Sequence, residues 1–480
     1  MATLPAMLKR GRHLIRLVGC CATMGVLALG SSLGLAQTNF YTLATNGPAS
    51  NRMAIVFLAE GYTTNQTNLF LNKCTNAMNA LVGAEPFQEF QSFFNFYALF
   101  VPSVEFGSDR PQIGQTRNTY FNSQYQIENG SAGYITIPTN STGQGKVDGL
   151  LASYLPTNQF RFRLPVMLVN EPENGGSGGQ TCIVAAYLSL GTYLLHELAH
   201  SFAGLGDEYD DSVGLTDASS FGEEPNTTQQ TNRNLIKWNA WISTNTPVPT
   251  PDDPTNASVV GLFEGAHYSP TNWYRPKASC RMRYVLSGFE YCEVCRETLV
   301  KTFYSKVRAI DAASPANSAL TLATTQAVTF NVSLLQPFTH ALSVQWQTNG
   351  INVLGATNTT FMFDPASVTN GTYSLRAIVH DDTAWVRNDP AGLLFSTNSW
   401  NVTVAVPQLW LESSQALGGG QFRFTVRGSG VTNFSIKAST NLTGWSSIST
   451  NALGGGQFNF TNGGLTNIPQ RFYRAVSPPQ

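Results

Sequence analysis

Two histidines four residues apart, with a glutamate between them, are the side chains in this sequence best suited to chemistry. His196, Glu197 and His200 form an H-E-x-x-H pattern within LLHELAHSFAGLGDEY, residues 194–209. On a helix both imidazoles lie on one face, so they reach a single metal ion, and zinc suits this pair. Glu197 can then act as general base on a zinc-activated water and return the proton to a leaving amine. The pattern predicts a catalytic zinc site.

The residues that follow the helix supply a third ligand. Gly204 and Gly206 are expected to end the helix, and Asp207 comes seven residues after His200, where a reversing chain brings a carboxylate back to the metal. Three protein ligands with one open position are typical of a catalytic zinc centre. Glu208 is the rival third ligand.

This arrangement resembles the metzincins, whose pattern is HExxHxxGxxH/D, although Gly204 and Asp207 lie one residue later here. The longer spacing is similar to that of the immunoglobulin A metallopeptidase family of secreted bacterial zinc peptidases. Further segments are similar to that family: IVFLAEGYT at 55–63, GGSGG at 175–179, YRPKASCRMRY at 274–284 and YCEVCRE at 291–297. The resemblance covers about residues 40–308.

The resemblance implies roles for individual residues. The zinc ligands would be His196, His200 and Asp207, and the catalytic base would be Glu197. Met282 resembles the methionine beneath a metzincin zinc, with an ordinary core methionine as the alternative. Tyr284 matches the position from which some metzincins turn a phenol towards the metal and stabilise the oxyanion. A buried aromatic with a satisfied hydroxyl is the alternative for Tyr284.

Three other features near the motif have two interpretations each. Tyr209, like Tyr284, is either a catalytic phenol or a buried aromatic. His267 is expected to be a surface histidine rather than a substrate contact. The glycine-rich segment 175–179 is either a flexible linker or, as its place before the helix favours, a sheet edge on which an extended peptide lies as an added strand.

The first residues predict export. A basic region from Lys9 to Arg16 precedes an apolar run from Leu17 to Leu35, and small residues precede Gln37. This pattern is typical of a cleavable signal peptide over residues 1–36, with a membrane anchor as the alternative. We therefore expect the protein to be secreted, either extracellular or at the cell surface.

Five cysteines remain once that leader is removed: Cys74, Cys182, Cys280, Cys292 and Cys295. In an oxidising compartment, Cys280 is predicted to form a disulfide with Cys292 or Cys295. A metal site at Cys292 and Cys295 is less favoured, because a zinc ribbon needs a second pair and only Cys280 is near.

The 480 residues predict two or three folded domains. A net charge of −1, without a basic stripe interleaved with aromatic residues, excludes a nucleic-acid binder. Strands are predicted at 53–58, 93–101 and 164–169, and helices at 66–81, 147–155, 183–203 and 292–307. Their alternation favours an α/β core, followed by an irregular lobe over 205–290.

The composition becomes typical of β-structure after the Ser314-Pro315 linker. The sequence ALGGGQFRFT at 416–425 recurs as ALGGGQFNFT at 452–461, which predicts equivalent strands within one module. The predicted fold class is an α/β (α+β) metzincin-like zinc peptidase domain followed by two small all-β domains. The predicted parts are a signal peptide (1–36), a zinc metallopeptidase domain (37–310), an immunoglobulin-like β-sandwich (316–405) and a small C-terminal β module (406–480). Another type of β-sandwich is the alternative at 316–405, because the usual cysteine pair is missing.

Together these features predict a secreted zinc-dependent metalloendopeptidase that acts on protein or peptide substrates. The C-terminal β domains are expected to contact the cell surface or carbohydrate. Two other functions remain: a surface binding or adhesion protein with a non-essential zinc domain, and a zinc hydrolase of a non-peptide amide.

Overall fold

The computed structural model describes residues 38–126, 133–210, 222–286, 288–323, 327–406 and 408–477. The predicted signal peptide lies outside the described residues. Within those ranges, no helix has both the length and the apolar character required to cross a bilayer. The described chain is a mixed structure with several β-sheets and few helices.

An eight-stranded sheet forms the centre of the N-terminal part, in the order β1-β3-β2-β6-β8-β7-β5-β4. Its strands are β1 (Asn39–Ala44), β2 (Met53–Glu60), β3 (Phe94–Phe100), β4 (Gln124–Gln126), β5 (Gly133–Thr136), β6 (Phe162–Val169), β7 (Gly175–Ser177) and β8 (Cys182–Ala185). The helices are α1 (Thr67–Val82), α2 (Gln144–Tyr154), α3 (Leu190–Ala203) and α4 (Glu293–Lys306). The four adjacent strands β3, β2, β6 and β8 run parallel to one another.

Strand β2 shows why the central strands are apolar along their whole length. Ile55 and Phe57 belong to the core that also contains α1, α3 and α4, whereas Val56 and Leu58 belong to the core that contains α2. A strand covered on both faces needs apolar side chains at every position. The three predicted strands and the helices at 66–81, 147–155 and 292–307 are confirmed, with shifts of a few residues at their ends.

The predicted helix at 183–203 is too long at its start. Residues 182–185 form β8, and the helix begins only at Leu190. Both segments are apolar and buried, and periodicity alone does not distinguish a short buried strand from a helix. The sheet edge expected at 175–179 is wrong for residues 175–177, since these form β7, which pairs with β8 on one side and β5 on the other.

The lobe after α3 contains little regular structure among its described residues, as predicted. Its strands are the hairpin β9 (Phe263–Ala266) and β10 (Ser269–Arg275). All five described cysteines are unpaired. The Sγ atoms of Cys280 and Cys295 are 3.7 Å apart, well beyond an S–S bond of about 2.05 Å, so the predicted disulfide is absent.

The remainder of the chain forms two pairs of sheets. The first pair has the orders β11-β13-β16 and β12-β18-β17-β14-β15, with Trp346 and Trp400 buried in the core. Its strands are β11 (Ile310–Ser314), β12 (Ala319–Ala323), β13 (Val328–Leu334), β14 (Ser343–Thr348), β15 (Ile351–Asn352), β16 (Thr360–Phe363), β17 (Gly371–His380) and β18 (Phe395–Ala405).

The second pair of sheets contains the sequence repeat and has its own small core. Its strands are β19 (Gln408–Leu417), β20 (Gln421–Ser429), β21 (Asn433–Ser439), β22 (Ser446–Ala452), β23 (Gln457–Asn462) and β24 (Phe472–Val476). The repeated copies lie on β20 and β23, which pair with Phe424 opposite Phe460. The two copies are therefore adjacent strands of one sheet.

The first β-sheet pair packs directly against the N-terminal part. His340 contacts Glu89 at 2.7 Å through Nδ1 and Asp381 at 2.8 Å through Nε2. Tyr304 of α4 donates a hydrogen bond to Asp381, and the Phe90 ring lies 6.2 Å from the Trp385 ring. Both parts therefore contribute to one continuous apolar core.

Candidate metal centre

Helix α3 carries the H-E-x-x-H pattern and holds it rigidly. Leu194 and Leu198 are fully buried beside the two histidines, so packing fixes the helix against the sheet. Gly204 ends the helix with a positive φ of 63°, a conformation that glycine adopts without steric cost. The chain then reverses, which confirms the predicted helix end.

Three donor atoms converge after this reversal. The Nε2 atoms of His196 and His200 are 3.1 Å apart, and Asp207 Oδ1 lies 3.0 Å from the first and 3.2 Å from the second. Tetrahedral zinc with bonds of about 2.0–2.1 Å would separate such donors by about 3.3 Å. We call these three side chains the histidine cluster, and their spacing fits one metal ion.

Backbone carbonyls fix which nitrogen of each histidine faces the cluster. His196 Nδ1 lies 3.1 Å from the Arg281 carbonyl oxygen, and His200 Nδ1 lies 2.6 Å from that of Leu205. Because a carbonyl only accepts, each Nδ1 carries the proton and each Nε2 keeps its lone pair for a metal. Asp207 Oδ1 is buried and has no hydrogen-bond donor among the described residues, which fits a cation at this place.

The electrostatics of the cluster favour positive charge. Burial alone would lower the pKa of His200, but the Asp207 carboxylate raises it to about 9. Burial would raise the pKa of Asp207, yet the two imidazoles, His200 first, lower it below its usual value. The same buried carboxylate that favours positive charge on His200 would favour a divalent cation, which competes with protons for these donor atoms.

Glu197 lies beside the histidines, with a carboxylate oxygen within 4.8 Å of their donor nitrogens. Burial raises its pKa, partly offset by the two imidazoles. The glycine-rich strand β7 packs against it, since a Cβ on Gly176 would lie 2.7 Å from Glu197 Cγ. A Cβ on Gly178 would lie 2.3 Å from His200 Cβ. These glycines therefore allow close packing against α3.

Two tyrosine hydroxyls reach the cluster. Tyr209 places its hydroxyl 3.0 Å from His196 Nε2, and Tyr268 donates a hydrogen bond to Asp207 Oδ2. Burial raises the pKa of both phenols well above the usual value, so both remain protonated donors. The sequence left two interpretations for Tyr209, a catalytic phenol or a buried aromatic, and it did not indicate Tyr268. Tyr268 reaches the cluster because its backbone adopts a positive φ of 60°, which no sequence pattern indicates.

The other predicted residues lie in different surroundings. Tyr284 is 39% exposed, its ring lies 5.6 Å from that of Phe289, and the Arg283 guanidinium lies 5.0 Å above it. Met282 is buried, and its carbonyl accepts from the backbone N–H of Glu208 at 2.9 Å. The expectation of a surface position for His267 is wrong. That residue is 2% exposed and stacks on Trp273 with ring centres 4.0 Å apart.

Glu208, the rival ligand, points to another group of side chains. One of its carboxylate oxygens lies 3.3 Å from Cys295 Sγ and accepts a hydrogen bond from Asn226 at 2.9 Å. Of the two neighbouring carboxylates, the structure thus brings Asp207 to the histidines.

Comparison with known families bears on the part of the chain that carries the histidine cluster. Residues 41–257 match the family model described as IgA Peptidase M64. Over this segment the chain is similar to the IgA peptidase family. The resemblance seen in the sequence is confirmed over these residues, which include the whole histidine cluster, and the family suggests a metallopeptidase. Met282 and Tyr284 lie beyond the matched residues, and their roles stay predictions.

Other comparisons add little. No curated protein matches the chain. Fibronectin(III)-like modules of Clostridium thermocellum CbhA are 11% identical, with 31% of this chain and 77% of that chain covered and a TM-score of 0.18. Bacteroides uniformis β-glucuronidase 3 is 8% identical, with 45% and 30% covered and a TM-score of 0.16. Salmonella α-2-macroglobulin reacted with methylamine is 10% identical, with 35% and 14% covered and a TM-score of 0.13. Scores this low carry no argument about fold or function.

Proposed function

We propose that this chain is a secreted zinc-dependent endopeptidase with a metzincin-like catalytic domain. The observation that carries the proposal is the convergence of His196 Nε2, His200 Nε2 and Asp207 Oδ1 within 3.2 Å of one another. Three donors of this type, beside a buried glutamate, are the ligand set of a catalytic rather than a structural zinc site. The family match supports a peptidase reaction at this place.

When bound, zinc would act as a Lewis acid towards water and the scissile carbonyl. The proton transfers belong to Glu197. A water held between its carboxylate and the histidine nitrogens gives a proton to Glu197 as it attacks the carbonyl carbon. The leaving nitrogen then takes that proton from the same carboxyl group, which completes peptide hydrolysis.

Tyr209 and Tyr268 have different roles in the proposed reaction. Tyr209 has its hydroxyl 3.0 Å from His196 Nε2 and is placed to donate a hydrogen bond to the oxygen that gains charge during attack. Tyr268 holds Asp207 through Oδ2, which leaves Oδ1 directed at the histidines. In this proposal Tyr209 replaces Tyr284 as the oxyanion donor, and Tyr268 is a positioning residue.

Export and the role of the C-terminal strands also belong to the proposal. We infer secretion from the leader over 1–36, and cleavage after residue 36 is checked by N-terminal sequencing of the protein in the culture medium. Contact of the β-domains with the cell surface or carbohydrate stays a prediction from sequence.

The test of the peptidase proposal uses the full-length protein and unfolded protein substrates. Hydrolysis should stop when a chelator removes the metal and should return when zinc is added back. Mass spectrometry of the products should show cuts at internal peptide bonds. Activity that survives complete metal removal would contradict the proposal. Activity confined to non-peptide amides would move the chain to the alternative class of zinc hydrolases.

A further inference from the structure

A second group of potential metal ligands begins one residue after the histidine cluster. We call it the thiol cluster, and it consists of Glu208, Cys280, Cys292 and Cys295. One donor atom from each side chain lies within 4.8 Å of all the others. All four residues are buried, with Glu208, Cys280 and Cys295 fully inaccessible.

The distances in the thiol cluster match those of a tetrahedral metal site. The Sγ atoms of Cys280 and Cys295 are 3.7 Å apart, and Cys295 Sγ lies 3.3 Å from Glu208 Oε1. Zinc with Zn–S bonds of about 2.3 Å and a Zn–O bond of about 2.0 Å would place these pairs about 3.8 Å and 3.5 Å apart. These two pairs therefore already have nearly the spacing that a single ion requires, and all four donors lie within 4.8 Å of one another.

One carboxylate oxygen of the thiol cluster is buried without a compensating group. Glu208 Oε2 is buried and has no hydrogen-bond donor among the described residues. A buried carboxylate oxygen without a partner is costly, and a bound cation would compensate this carboxylate. The backbone N–H of Cys292 already donates to Cys280 Sγ at 3.3 Å, a contact that stabilises a sulfur carrying negative charge.

The local fold explains how four donors from three segments meet. Cys292 is the N-cap of α4, and Cys295 lies in the first turn of that helix. Cys280 follows β10, while Glu208 follows α3 and is tied to Met282 by a backbone hydrogen bond of 2.9 Å. Because the surrounding lobe has only the β9–β10 hairpin as described strands, a metal would add the cross-link that regular structure does not supply.

Two simpler explanations fit less well. A disulfide between Cys280 and Cys295 would need the sulfurs to approach by well over 1 Å, to about 2.05 Å, and would leave Cys292 unpaired beside a buried carboxylate. Ordinary core cysteines need no acidic neighbour, and Cys74 lies in the same apolar core as Cys280, Cys292 and Cys295. The thiol cluster instead gathers three sulfurs around an acidic group.

We propose that the thiol cluster binds a second zinc ion as a closed, four-ligand structural site. Soft sulfur donors in tetrahedral arrangement select zinc among the common divalent metals. Binding displaces the thiol protons to solvent and transfers no electrons. With four protein ligands the ion has no position for substrate. It would instead fasten α4 to the two segments that carry Asp207 and Arg281.

The decisive experiment removes the catalytic ligands and counts the metal that remains. In the full-length His196→Ala/His200→Ala variant, elemental analysis should still find about one zinc per chain, and X-ray absorption should show mainly sulfur neighbours at about 2.3 Å. The unaltered protein should hold about two zinc ions with mixed neighbours. Loss of all zinc from the double variant would overturn the second site and leave the catalytic proposal intact.

A matched pair of cysteine variants locates the ion. Cys292→Ser should lose the sulfur-bound zinc and lower the melting temperature, whereas Cys74→Ser, which alters an equally buried cysteine in α1, should keep it. Retention of the sulfur-bound zinc in Cys292→Ser would contradict the assignment.

If Cys292→Ser does not fold, alkylation of the thiols in the unaltered protein tests the same assignment. Cys280, Cys292 and Cys295 should resist alkylation in the native protein and react together once a strong chelator has been added. A mass lower by two hydrogens, with no sulfur-bound metal, would show a disulfide and overturn the proposal.

Discussion

The histidine cluster and the thiol cluster are neighbours built from opposite chemistry. The first combines two imidazoles and one carboxylate with a base, Glu197, within 4.8 Å. The second combines three sulfurs and one carboxylate and has no such base among its described contacts. Three ligands beside a base suit catalysis, whereas four buried ligands suit structural metal binding. Consecutive residues, Asp207 and Glu208, thus belong to different clusters.

The two clusters also share one loop. The Arg281 carbonyl accepts from His196 Nδ1, and the next carbonyl, of Met282, accepts from the backbone N–H of Glu208. Cys280, directly before them, belongs to the thiol cluster. The comparison therefore predicts that the histidine cluster can be disabled without loss of the thiol cluster, while damage to the thiol cluster disturbs both.

The largest effect is expected from Glu197→Gln. Without the carboxylate the attacking water loses its proposed proton acceptor, so kcat should fall by about 10²–10⁴-fold while zinc at the histidines is retained. Peptide hydrolysis and zinc content measured on the same sample check this. Glu264→Gln, on the exposed face of β9, is the control and should keep full activity. An active Glu197→Gln enzyme would remove the basis for calling this cluster catalytic.

The neighbouring carboxylates can be separated by Asp207→Asn and Glu208→Gln. Asp207→Asn should weaken zinc binding at the histidines by at least about 100-fold, beyond what changes to outer hydrogen-bond partners cause. Glu208→Gln should instead weaken the sulfur-bound ion. X-ray absorption distinguishes the two ions by their nitrogen and sulfur neighbours. The opposite pattern would make Glu208 the third ligand of the histidine cluster.

A smaller loss is expected from Gly176→Ala. The new methyl group would lie 2.7 Å from Glu197 Cγ and 2.9 Å from the Ile183 carbonyl oxygen, so the base must move. Because small displacements of catalytic groups are costly, kcat/KM should fall by about 10- to 100-fold. Gly149→Ala in α2 is the matched control, since its Cβ meets nothing within 4 Å. Equal activity of the two variants would show that β7 does not position Glu197.

Truncation of the chain should have the smallest effect on catalysis. Its main expected effect is on thermal stability. Removal of residues after 406 takes away a module with its own core and should leave the melting temperature of the remainder nearly unchanged. Removal after 310 exposes Phe90 and Tyr304, which pack against the first β-sheet pair. It should cost about 3 kcal/mol or more of unfolding free energy, at about 1.5–3 kcal/mol per large apolar side chain. Thermal unfolding of both fragments checks this, and equal stability would show that the core does not extend across residue 310.

Several strands and the end of the helix that position the histidine cluster could be predicted from short sequence patterns. Apolar runs located β2, β3 and β6, and Gly204 located the end of α3, because these features depend on neighbouring residues alone. The sequence also singled out His196, His200 and Asp207, which the structure brings together.

What sequence reasoning missed depends on contacts between distant segments. Residues 182–185 were assigned to a helix because their role as β8 depends on pairing with β6. The sequence favours a disulfide over a metal site at Cys280, Cys292 and Cys295 because no second cysteine pair is near. It does not reveal Glu208 as a fourth donor, since that residue lies more than seventy positions before Cys280. Tyr268 was missed because only the turn at 267–268 turns its hydroxyl to Asp207.

The carbonyl contacts of the two histidines have a consequence for metal exchange. Since each imidazole is already held in its binding orientation, loading an ion requires no rotamer search and little conformational entropy is lost. Metal-free enzyme should therefore regain activity at a rate set by how fast the ion arrives and sheds its water shell. Any slow step would point to the other cluster, where Cys292 and Cys295 depend on the ordering of a helix end.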